Sequence, residues 1–105
     1  MLGDEHVLVE VSVEPTAAGE RHHDVVQEAI HAFRAPGLIV TVGAMSTAIE
    51  GPLDDVLAAV ARAHAHAHGR SDRVITTVRL ESKQGGLHLR ERESEFAGPS
   101  SLLRG

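Results

Sequence analysis

The sequence predicts an α+β fold of the ferredoxin-like kind, a βαββαβ sandwich. It has a four-stranded antiparallel sheet, two helices on one face, and a short C-terminal helix after the last strand. Three observations predict it. Strand-like stretches alternate apolar and polar residues with a period of two. Two longer stretches repeat apolar residues every three or four positions. The breaks between them fall at proline and glycine, in the order strand, helix, strand, strand, helix, strand.

The first element is "HVLVEVSVEP". Val7, Val9, Val11 and Val13 share one face, and Leu8, Glu10, Ser12 and Glu14 share the other, so the segment reads as a half-buried strand closed by Pro15. A helix follows from about Glu20 to Arg34, with Val26, Ala29, Ile30 and Phe33 as its apolar stripe. Pro36 and Gly37 stop it. "LIVTV", from Leu38, is a second strand, and "MSTAIEG" is a third, paired with it as a hairpin across Gly43-Ala44. Pro52 suits a helix start, because its missing N–H costs nothing in a first turn, and Asp54 and Asp55 suit the positive end of the helix dipole. Leu53, Val56, Leu57 and Val60 carry that second stripe, which runs to His68 before Gly69. From Arg73, "RVITTVRLES" is the fourth strand, with Ile75, Thr77, Arg79 and Glu81 turned away from Val74, Thr76, Val78 and Leu80. A glycine turn and a short charged helix come next. Residues 1–96 are expected to form one domain and 97–105 a flexible tail.

Composition removes several function classes. The net charge of −5 disfavours nucleic acid and anionic membranes as partners. Without cysteine there is no disulfide, no thiol catalysis and no cysteine-ligated zinc. The aromatic residues are Phe33 and Phe96 alone, too few for a stacking cage within one subunit. No segment reads as a signal peptide or a membrane span, so a cytoplasmic location is expected. Nucleophile motifs, phosphate-binding loops and paired metalloprotease histidines are missing, and "QGGLH" is too short a glycine signal for phosphate. Hydroxyls lie on strands and histidines on helix ends, so a catalytic set is not expected.

"ARAHAHAHG" invites a metal reading. On a helix, His64 and His68 share a face while His66 lies about 200° away, so three alternating histidines do not converge on one ion. His22-His23 repeats the theme at the start of the other helix. The expectation is a helix end, with no metal site and no cofactor.

The sheet face turned away from the helices is more informative. Strand parity brings Glu10, Ser12, Ser46, Ala48, Glu50, Thr77 and Arg79 there, together with Leu8 and Ile75. Such a mixed surface suits a second copy of the chain, or a small polar heterocycle at that junction, or plain solvent. Parity turns Thr47 the other way, toward the helices with Ile49, unless a bulge after Gly43 resets it.

"VLVEVSVEP", "VGAMSTAIEG", "LDDVLAAVARAH" and "DRVITTVRLESKQGG", with the charged stretch to Phe96, resemble in order and spacing a family of about 100-residue thiamine-binding proteins. The most specific parts are Thr47 to Gly51 and Arg73 to Thr77. The resemblance implies a ferredoxin-like fold and assembly into dimers or tetramers through the sheets. It also implies binding of thiamine or its hydroxymethylpyrimidine moiety without catalysis. Ser12, Ser46, Thr47 and Thr77 would supply hydroxyls to an aminopyrimidine. Glu50, or else Glu10, would supply charge to the thiazolium cation. The alternative is an oligomeric interaction module whose sheet face is filled by its own partner, with no small-molecule ligand.

Overall fold

The computed structural model describes residues 5–93. The expected tail at 97–105, and Phe96 with it, lie outside the described residues. The elements are β1 (His6–Pro15), α1 (His22–Ala32), β2 (Ile39–Val42), β3 (Thr47–Pro52), α2 (Leu53–His68) and β4 (Val74–Glu81), with a 3-10 turn at Gly19–Arg21. Residues 89–93 are helical. The strands form one antiparallel sheet in the order β2-β3-β1-β4, the ferredoxin-like arrangement.

β1 is central, and its alternation sets both faces of the sheet. Val7, Val9 and Val11 are at most 1% exposed and pack with Ala29 of α1, with its C-cap Phe33, and with Val56 and Ala63 from α2. Burying such side chains stabilises the fold by about 1.5–3 kcal/mol each. Ile49 of β3, opposite Val9, completes the layer.

The two helices meet the sheet differently from the expected stripes. On α1 the buried row is Val25 and Ala29, continued at the same four-residue spacing by the C-cap Phe33, while Val26 and Ile30 lie beside it, half-buried. On α2 the row is Val56, Ala59, Ala63 and Ala67, all fully buried, and Leu57 is 43% exposed. Small side chains let α2 approach the sheet and α1 closely. The larger residues of the stripe fall to its edges. α2 ends where expected, with Gly69 as C-cap donating its N–H to the Ala65 carbonyl at 3.1 Å.

Beyond β4, Gly85 and Gly86 adopt φ of +88° and +98°, a region open to glycine and costly for other residues. They turn the chain back across the sheet. The Leu87 N–H then donates to the His6 carbonyl at 2.8 Å, and the Leu87 side chain is buried. Leu8, on the face opposite the helices, is only 4% exposed; with Leu89 it lines a hollow between the sheet and the helical residues 89–93.

Candidate functional site

The ladder between β1 and β3 ends at Val11↔Thr47, whereas β1 continues to Pro15 against β4 alone. Among the described residues, one edge of β1 therefore has no strand beside it from Ser12 onward. The gap opens into a cleft of about 330 Å³ between the end of β1, the β2–β3 turn and the start of α1. The turn is closed by the Gly43 N–H donating to the Ser46 carbonyl at 2.9 Å. A side chain at position 43 would put its Cβ 2.8 Å from that oxygen.

Because the cleft lies at an interruption in the sheet, residues from both faces reach it. Ser12 and Ser46 come from the open face and Thr47 from the helix face; no bulge is needed to bring them together. Val26, Ile30 and Phe33 form an apolar wall, which explains why Val26 and Ile30 are only half-buried. Met45, 91% exposed, stands at the mouth, and His22, His23 and Gln27 line the α1 side. Ser46 Oγ donates to Glu10 Oε2 at 2.9 Å. With its proton so committed, the Ser46 hydroxyl has lone pairs alone to offer a ligand.

The other two candidates lie elsewhere. Thr77 is exposed on the open face, opposite Ser12 across the β1–β4 pair. Glu50 is 6% exposed and lies toward the other end of β1, opposite Leu8. Its Oε1 accepts from the Leu89 N–H at 3.3 Å and sits 3.3 Å from His6 Nε2 and 3.5 Å from His88 Nδ1. A second hollow of about 280 Å³ lies near it on the open face, lined by Leu8, Glu10, Ala48, Arg79, Glu81 and the helical residues Leu89, Arg92 and Glu93.

The alternating histidines divide as helix geometry requires. His64 Nδ1 lies 2.6 Å from Thr76 Oγ1, and its ring faces that of His68 at 6.5 Å. His66 turns away to Glu28, which also holds Arg70 through both carboxylate oxygens. Among the described residues, the group of three possible ligands that approach one another is His6, Glu50 and His88, not this run.

The comparisons with known proteins fit this architecture. A family model described as Thiamine-binding protein matches residues 9–95. The UPF0045 protein MJ1052 of Methanocaldococcus jannaschii is 32% identical over 92 residues, 88% of this chain and 92% of that protein. Its crystal structure superposes with a TM-score of 0.79, covering 90% of this chain and 97% of that one. A domain of unknown function from Bacillus cereus gives a TM-score of 0.78 at 30% identity, over 88% and 90% of the two chains. A putative thiamine biosynthesis/salvage protein from Thermotoga maritima shares the fold, with a TM-score of 0.77 at 24% identity over 87% and 98%.

Proposed function

The chain belongs to the thiamine-binding protein family, and from that premise we propose that it binds thiamine or its hydroxymethylpyrimidine moiety in the cleft beside the end of β1, without catalysing a reaction. The observation that carries this reading is the meeting of Ser12, Ser46 and Thr47 on one apolar-walled cleft. An aminopyrimidine has ring nitrogens that accept hydrogen bonds and an exocyclic amine that donates them. Thr47 and Gln27 can donate to the ring. Ser46, its own proton given to Glu10, is left to accept from the amine. Val26, Ile30 and Phe33 supply the dry surface that a flat heterocycle needs.

Glu10 adds charge. It is exposed and lies one hydrogen bond behind Ser46, so it attracts a thiazolium cation at the cleft mouth across solvent, weakly and with a salt dependence. Glu50, engaged with His6, His88 and Leu89, is less suited to that task.

Isothermal titration with thiamine and with hydroxymethylpyrimidine tests the proposal. Saturable heat is expected for both, together with a rise in melting temperature. No heat and no thermal shift at roughly millimolar ligand, a range in which even weak binding is visible, would overturn it.

Self-association is supported by a separate observation. Val78 and Leu80, on the helix side of edge strand β4, are 41% and 45% exposed, and Ile39 and Ile75 on the open face are 54% and 42% exposed. Apolar edge strands of this kind are normally covered. Light scattering is expected to give a dimer or tetramer. Val78→Glu with Leu80→Glu should shift it toward monomer, and neither residue lines the cleft.

A further inference from the structure

We infer that His6, Glu50 and His88 form a binding site for a divalent transition metal of the zinc type, at the opposite end of β1 from the cleft. One ligand atom from each residue lies within 4.8 Å of the others. Two contacts have a telling length. His6 Nε2 and His88 Nδ1 are 3.3 and 3.5 Å from the same carboxylate oxygen, Glu50 Oε1. Charge-assisted N–H···O bonds are shorter, about 2.7–2.9 Å. Ligand atoms around a tetrahedral ion with bonds of about 2.0–2.1 Å are separated by about 3.3–3.4 Å.

The chemistry of the set points the same way. Two imidazoles and one carboxylate suit zinc and its neighbours rather than magnesium or calcium, which prefer oxygen alone. Three protein ligands leave a fourth position, and the 52% exposure of the His88 side chain opens that position to water. Glu50 is fixed before any ion arrives. It is buried, held in β3 opposite Leu8, and accepts the Leu89 N–H. The His6 backbone is likewise held by the Leu87 N–H. His88 is the adjustable member. Its ring stacks on His6 with centroids 3.8 Å apart and planes 28° from parallel, so it has to tilt off the stack to aim Nδ1 at an ion shared with His6.

A bound ion would join β1, β3 and the segment after β4. That segment supplies Leu89, Arg92 and Glu93 to the wall of the open-face hollow, so the metal would set that wall's position.

The test uses the full chain without a histidine tag, titrated with zinc in competition with a chromophoric chelator, and with cobalt(II) monitored by visible absorption. One equivalent per chain is expected, with the intensified cobalt bands of four-coordination. His88→Ala, which removes a half-exposed ring, and Glu50→Gln, which keeps the side chain's shape, should each weaken zinc by about tenfold or more. Circular dichroism of each variant confirms folding. The double variant His64→Ala with His68→Ala should bind zinc within about twofold of the parent. Substoichiometric zinc, undiminished affinity in folded His88→Ala, or affinity that falls only in the His64/His68 variant would each overturn the site.

Discussion

The hydroxyl of Ser46 donates to Oε2 of Glu10 at 2.9 Å, from the turn after β2 to the middle of β1. The bond ties the β2–β3 turn to the open face and fixes which way a cleft-lining hydroxyl can act.

Ser46→Ala is therefore expected to weaken hydroxymethylpyrimidine binding about fivefold, the value of roughly one neutral hydrogen bond. Thr77→Ala, on the open face beyond the cleft, should leave binding unchanged. Titration calorimetry on both variants gives the comparison.

Phe33 is 1% exposed and serves the core and the cleft wall together. Phe33→Ala should cost about 3–5 kcal/mol of stability, the range for truncating a buried aromatic. Urea unfolding should show a lower midpoint, and the surviving folded fraction should bind ligand more weakly.

The alanine row of α2 leaves no room for growth. Ala63→Leu should destabilise by about 1–3 kcal/mol through overpacking, since Ala63 is fully buried in the main core. Ala58→Leu, on the exposed side of the same helix, should change stability by less than about 0.5 kcal/mol. Thermal melts of the pair separate packing from helix propensity.

Gly86 holds φ at +98° just before the Leu87–His6 hydrogen bond. Gly86→Ala should loosen residues 87–89 by more than about 1 kcal/mol. Hydrogen exchange at the Leu87 and Leu89 amides should accelerate, while exchange in α2 should not.

The strands were legible because valine recurs at every second position of β1 from Val7 to Val13, and that parity placed Glu10, Ser12 and Glu50 on one face and Ile49 on the other. The helices were legible in extent but not in azimuth. Adjacent Val25 and Val26 differ by one residue, and only the position of the sheet decides which is buried. The cleft was half legible. Its hydroxyls were candidates from their residue types, yet the mixing of faces depends on where the β1–β3 ladder stops, and that is a property of strand lengths in space. His6 and His88 carried no local signal at all. They meet because a turn built on two glycines sends the chain back to the start of β1.

β1 carries His6 at one end of the open face and Ser12 at the other, six residues or about 20 Å apart along an extended strand. The valine strand between them is buried and paired on both sides, so it is a poor carrier of a signal from one end to the other. Cooperativity between ion and vitamin within one subunit would have to run through the open-face hollow, whose wall holds both the segment after β4 and Glu10, the partner of Ser46. Glu10→Ala should abolish that coupling, and coupling that survives it would point to contacts between copies of the chain.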